Sequence, residues 1–278
     1  DQGTFIVNRY DFNTNDHGSY GVGGALLHEA CYDPDTAAMG MRLLDWRRET
    51  RGDGVIAIDC GANIGVFTVS WARHMTGWGA ALGIEAQERV FYALAGNIAL
   101  ANCANAQAMF AAAGAEPGEI RIPALDYAAQ SSFGSLSLRP GPHAEDIGQP
   151  LAYDGAATAP VRVVTIDQMA PPRLDLLKID VEGMELEVLR GARRTIERFR
   201  PVMIVEAIKV DRDALAAFLD EIGYVFFAIG MDVLAVHADD PIRDRIRTRV
   251  APPPEAPIPE APIAGAADDG AGGGAAKA

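Results

Sequence analysis

Only three cysteines occur in the 278 residues, Cys31, Cys60 and Cys103. They are too few and too scattered for a disulfide framework, and none stands in the C-x-x-C spacing of a zinc site. Reduced, structural thiols of a cytosolic protein are the reading that follows. Basic residues are scarce as well: 24 Lys and Arg face 38 Asp and Glu, a formal charge of −14. Surfaces that grip phosphate backbones depend on clustered Lys and Arg for counterion release, so nucleic acid is not expected as a partner. No stretch approaches the roughly 18 apolar residues of a membrane helix, and the opening DQGTFIVNRYDFN lacks the basic-then-apolar run of a secretory leader. A cytoplasmic protein without a membrane partner is expected, and a homo-oligomer is compatible with the sequence.

What is present is apolar and regularly spaced. Hydrophobic residues make up 49% of the chain, ample for a buried core. Seven runs of strand length occur: Val55 to Cys60, Ala80 to Glu85, Ala106 to Ala111, Leu174 to Asp180, Pro201 to Glu206, Tyr224 to Ile229 and Asp232 to His237. Most alternate with helical periods, the pattern of an α/β fold with a mostly parallel, Rossmann-like sheet and helices on both faces. Leu186, Leu189, Ala192, Ile196 and Phe199 mark one helix face, and Leu215, Phe218, Leu219 and Ile222 another, with Asp211 as N-cap and Gly223 as the stop. Only Gly230 and Met231 separate the closing runs, too few for a crossover, so those strands should be antiparallel and one reversed edge strand is expected.

Three parts are read along the chain. Residues 1–52 form an extension with a helix from Pro34 to about Thr50 capped by Asp33, placed to cover a substrate or simply to pack. Residues 53–240 form the central domain, interrupted from Asp126 to Pro160 by a Ser-, Gly- and Pro-rich insertion of a length that is usually functional or mobile. Residues 241–278 hold the basic stretch RDRIRTR (Arg243 to Arg249) and a Pro-, Ala- and Gly-rich tail expected to be disordered.

The most informative stretch is VIAIDCGANIG, Val55 to Gly65. An Asp at a strand end, then Gly61, Asn63 and Gly65 opening a helix, is expected to set backbone N–H groups beside a ligand, with glycines because a Cβ would hold that ligand away. A dinucleotide site would show GxGxxG, whereas the spacing here is GxxxG. Glu85 ends the next strand, where a carboxylate either accepts the hydroxyls of a ribose or faces water.

With these residues in view, the chain resembles the FkbM family of S-adenosylmethionine-dependent methyltransferases over roughly Asn15 to His237. The likeness is carried by VIAIDCGANIGVFTVSWA, GIEAQERVFYALAGNIALAN, and VRVVTIDQM with LDLLKIDVEGMELEVLRGARRTIERFRPVMIVE. HGSYGVGGALLHEACYDP adds the stretch that commonly precedes the sheet. The resemblance implies a class I methyltransferase fold, a mostly parallel seven-stranded sheet with one antiparallel strand. It implies S-adenosyl-L-methionine as cofactor, with Asp59, Gly61, Asn63 and Gly65 around the methionine part, Thr68 at its carboxylate and Glu85 on the ribose. The segment AAGAEPGEI, including Ala113, would flank the adenine, although Ala115 stands where an Asp is common.

Methyl transfer needs alignment and, for a hydroxyl acceptor, removal of a proton. Asp180, at the end of the fourth strand, is the candidate general base or orienter of the acceptor, and otherwise a cap of the next helix. His17 is a second candidate base, or a surface loop residue. Glu182 and Glu206 are candidates for substrate binding; Glu182 also reads as a helix cap or dipole partner, and Glu206 as a structural hydrogen-bonding group. Asp180 with Glu206 could hold a hydrated magnesium ion, but such pairs are common without one and no metal is expected. The resemblance favours O-methylation of a sugar or other small molecule. The rivals are N-methylation of an amine or protein side chain, a non-catalytic binding module, and a dehydrogenase.

Overall fold

Large apolar residues stand at both parities of the central runs, so each strand needs cover on both faces of its sheet. The computed structural model, which describes residues 2–15, 18–141 and 144–246, meets that need with one seven-stranded sheet between two layers of helices. A hairpin of β1 (Asn13–Asn15) and β2 (Gly18–Tyr20) comes first, then α1 (Val22–Glu29) and α2 (Pro34–Arg51). The sheet begins with β3 (Val55–Cys60), α3 (Val66–His74), β4 (Gly79–Glu85), α4 (Glu88–Leu100) and β5 (Ala106–Phe110). Three strands outside it follow: β6 (Ala112–Ala113), β7 (Gly118–Pro123) and β8 (Thr158–Val164), leading to α5 (Ile166–Met169). The main sheet resumes with β9 (Leu176–Ile179), α6 (Glu185–Gly191), α7 (Arg193–Phe199), β10 (Val202–Glu206), α8 (Arg212–Glu221), β11 (Tyr224–Ile229) and β12 (Asp232–His237).

The spatial order is β11-β12-β10-β9-β3-β4-β5. All neighbours are parallel except the two pairs that involve β12. One strand is reversed, as expected, but it is not at the edge. The crossover through α8 carries β11 one place beyond β10, and the two-residue turn at Gly230, with φ +63°, returns β12 into the gap.

Ala57, Leu176, Val202 and Ile204 pack on one face with Leu43, Leu44, Trp71 and Leu94 of α2, α3 and α4. Ile58, Leu177, Met203 and Val205 pack on the other with Val188, Leu189, Ile196, Leu215 and Leu219 of α6, α7 and α8. Local signals stop and start the helices: the Asp33 side chain accepts from Thr36 N at 3.1 Å, and that of Asp211 accepts from Asp213 N and Ala214 N. The helix read as continuous through Phe199 is two, separated at Ala192. Among the described residues no helix is long and apolar enough to cross a membrane. The tail beyond Arg249 and the end of the basic stretch, from residue 247, lie outside the described residues.

The extension and the insertion meet over the carboxyl ends of the strands. Asp11 is buried, its Oδ2 accepting from Gly23 N at 2.8 Å and its Oδ1 from Phe133 N at 3.0 Å. One carboxylate therefore holds α1 and the insertion together. Burial pushes its pKa up to about 6 despite the two amide bonds. Asp11→Ala is expected to lower stability by about 1–3 kcal/mol in denaturant titrations. Because the folded-state pKa is raised, the native carboxyl contributes most when protonated. The gap between parent and variant should therefore be largest below 3.8, shrink as pH rises from there to about 6, and stay level above it.

Candidate functional site

The order of strands in the sheet reverses between β3 and β9, and an α/β sheet opens a crevice at such a point. A cavity of about 380 Å³ lies there, lined by Gly61, Asn63, Glu85, Ala113, Lys178, Asp180, Glu182 and Glu206 among others. Its volume is in the range of small-molecule sites. Of the residues singled out in the sequence, Asp59, Gly65 and Thr68 do not line it. Asp59 is buried behind the wall, accepting the Thr68 hydroxyl at 2.7 Å and so holding the start of α3 to the end of β3. Gly65 provides the left-handed N-cap of that helix, φ +92°. His17 lies outside the described residues.

The loop from Gly61 to Gly65 works differently from the expectation. Gly61 N and Ala62 N both donate to Ile84 O at 2.9 Å, Asn63 N donates to Glu85 Oε2 at 2.9 Å, Ile64 N to Asn63 Oδ1 at 2.7 Å, and Gly65 N to Ala62 O at 2.8 Å. Each amide of the turn is thus already satisfied, and the turn is no cradle for a phosphate. Nor does Gly61 make room for a ligand. A Cβ there would lie 1.6 Å from the carbonyl oxygen of Asp180, so the glycine is required by the approach of two backbones.

Glu85 closes β4 with 6% of its surface exposed. Its Oε1 accepts from Gln87 N at 2.8 Å and its Oε2 from Asn63 N, which fixes the carboxylate while it still borders the cavity. Burial raises its pKa to about 7, with the amide bonds opposing. Beyond it the wall is small and apolar: Ala86, Ala111, Ala112 and Ala113. Glu116 is exposed and stands away from this wall.

The opposite end is charged. Carboxylate oxygens of Asp180, Glu182 and Glu206 lie within 4.8 Å of one another. Lys178, 3% exposed, donates to Asp180 Oδ2 at 2.8 Å and sits over the Phe67 ring. Lys209 pairs with Glu182, reaches Glu145 at 3.2 Å, and donates to Ser135 O at 2.9 Å, tying the insertion to the cavity. Burial, followed by the charge of Asp180, raises both Glu182 and Glu206 above the usual carboxylate range. Neither Asp180 nor Glu182 caps α6; Glu185 instead accepts from Val181 N and Gly183 N within the preceding turn.

Among the lining residues, Tyr20, Tyr32, Gln87 and Lys178 carry no expectation from the sequence, while the insertion supplies Ser132, Gly134, Ser135, Leu136 and Leu138 to the wall. Lys178 carried a signal, a cation inside the apolar run LDLLKID. Gln87 did not, although it is buried and joins the Tyr127 hydroxyl to Phe133 O.

The chain matches the family described as Methyltransferase FkbM domain over residues 59–226. It is similar to the hexuronic acid methyltransferase AglP of Haloferax volcanii, with 30% identity over 109 residues, 38% of this chain and 44% of that protein. The chain therefore spans less than half the length of this curated relative. Among solved structures, the methyltransferase FkbM of Methylobacillus flagellatus KT is similar over 66% of this chain and 43% of its own, with 19% identity and a TM-score of 0.47. The precorrin-6y C5,15-methyltransferase of Geobacter metallireducens GS-15 is similar over 83% and 94%, with 13% identity and a TM-score of 0.44.

Gly61→Ala is expected to destabilise the fold by about 3 kcal/mol or more, since either β3 or β9 must shift to admit the methyl group. Gly77→Ala is the control: its φ is similarly positive, +85°, but a Cβ there meets nothing within 4 Å. That change should cost only about 1–2 kcal/mol of backbone strain. Equal losses for both in urea titrations would refute the steric explanation.

Proposed function

The chain belongs to the FkbM methyltransferase family, and from that premise we propose that it transfers a methyl group from S-adenosyl-L-methionine to a hydroxyl of a sugar or other small molecule. The observation that carries this reading is the pairing of a fixed, cavity-facing Glu85 with a glycine turn whose amides are all engaged. A carboxylate suits the vicinal hydroxyls of a ribose. A turn without free amides suits a cofactor that has no pyrophosphate, which speaks against a dinucleotide. Glu85, Glu145, Asp180, Glu182 and Glu206 against Lys178 also give the cavity an acidic lining, favourable to a sulfonium.

In this reading Glu85 holds the ribose, Ala111 to Ala113 flank the adenine, and Gly61 and Asn63 border the methionine part. When bound, the cofactor supplies an electrophilic methyl group. Asp180, held by Lys178, accepts the acceptor's proton or aligns its hydroxyl. Glu206 and Glu182 contact the acceptor, and the extension with Tyr20 and Tyr32 covers it and excludes water. The curated relative named for hexuronic acid supports a sugar as acceptor. A second reading, methylation of an amine, is favoured by the acidic, tyrosine-flanked end of the cavity.

Transfer of labelled methyl groups to panels of glycosides and amines separates the two acceptors. Asp180→Asn should lower kcat by about 100-fold or more while cofactor affinity stays within a few-fold; turnover equal to the parent would remove Asp180 from the chemistry. Ribose hydroxyls donate to the ionised form of Glu85. Cofactor affinity should therefore rise with pH through about 7 and level off above it, and Glu85→Gln should flatten the profile in calorimetry.

A further inference from the structure

We propose that Asp180, Glu182 and Glu206 form a binding site for a hard divalent cation, magnesium, manganese or calcium, at the end of the cavity away from Glu85. Three carboxylate oxygens, one from each residue, lie within 4.8 Å of one another. Oxygen ligands on opposite sides of an ion are about 4.2 Å apart around magnesium and about 5 Å apart around calcium. The three residues therefore stand at the spacing of one coordination shell, with the remaining positions open to the cavity that all three line.

The state of Glu206 points to a ligand independently of that spacing. Glu206 is the most buried of the three at the cluster. Its Oε2 is sealed from solvent and has no hydrogen-bond partner among the described residues. The other two carboxylates are each served by a lysine: Lys178 takes Oδ2 of Asp180, and Lys209 takes Oε2 of Glu182. Among the described residues Glu206 has no ion pair of its own. A buried carboxylate beside two others needs a compensating positive charge. A proton is one solution and a divalent cation the other. The all-oxygen donor set, without His or Cys, selects hard cations over zinc or copper.

The place of such an ion in the reaction rests on the methyl-transfer reading. There it would take oxygen atoms of the acceptor on its open positions and make a hydroxyl beside Asp180 easier to ionise. Binding itself does not rest on that reading and is measured without cofactor or acceptor.

The test uses the whole protein, stripped with a chelator and titrated with manganese, the free ion being followed by electron paramagnetic resonance, with calorimetry for magnesium and calcium. Saturable binding of one ion per chain is expected. Glu206→Gln should weaken it about tenfold or more, because one charged ligand is lost. Circular dichroism establishes that the variant is folded, and Asp180→Asn provides a second removal of a ligand should Glu206→Gln fail to fold. Glu221→Gln, on the far end of α8, should leave binding unchanged. Absence of saturable binding in the parent, or equal affinity in a folded Glu206→Gln or Asp180→Asn protein, overturns the site.

Discussion

Two backbones meet at one point, and the rest of the site is arranged around that meeting. The last ladder bond between β3 and β9 runs from Asp180 N to Cys60 O at 3.0 Å. One residue later the Asp180 carbonyl occupies the place where any side chain at position 61 would begin. The chain then divides. Gly61 and Ala62 turn toward β4 and bond to Ile84 O, while Glu182 lies beside Glu206 at the end of β10. The crevice opens between these diverging loops, as the reversal of strand order requires. Its two ends inherit different neighbours, Glu85 from β4 on one side and Glu206 from β10 on the other.

The buried charges show how differently the two ends are built. At one end Glu85 is held by two backbone amides and surrounded by alanines, so its desolvation is partly offset by groups that do not move. At the other end three carboxylates share two lysines, and both lysines connect outward. Lys178 reaches back toward Phe67 of α3, and Lys209 reaches the insertion at Ser135 and Glu145. A rigid carboxylate suits recognition of one fixed partner.

Much of this architecture was legible in the sequence because it rests on local chemistry. Apolar runs gave the seven strands, and Asp33 and Asp211 gave their helix starts. What depends on distant contacts was less legible. The two-residue turn at Gly230 required an antiparallel pair but could not say that β12 would fill a gap beside β10. The strand Gly118–Pro123 leaves little mark in the sequence because half its residues face solvent and its partner, β8, lies some forty residues on. At Gly61 the sequence shows the residue type but not its reason: no local pattern announces that another strand's carbonyl will stand where the Cβ would be. Asp59 and Thr68 stand in the motif where ligand contacts are expected, whereas their mutual hydrogen bond keeps both inside the wall.

The central claim is that Glu85 receives a ribose in the cavity beside Gly61. A crystal structure of the protein with S-adenosylhomocysteine tests it most directly. The expected result is both ribose hydroxyls within hydrogen-bonding distance of the Glu85 carboxylate and the amino-acid part running past Gly61 toward Asp180. A ligand bound elsewhere, or lying in the cavity with its ribose turned away from Glu85, would contradict the account.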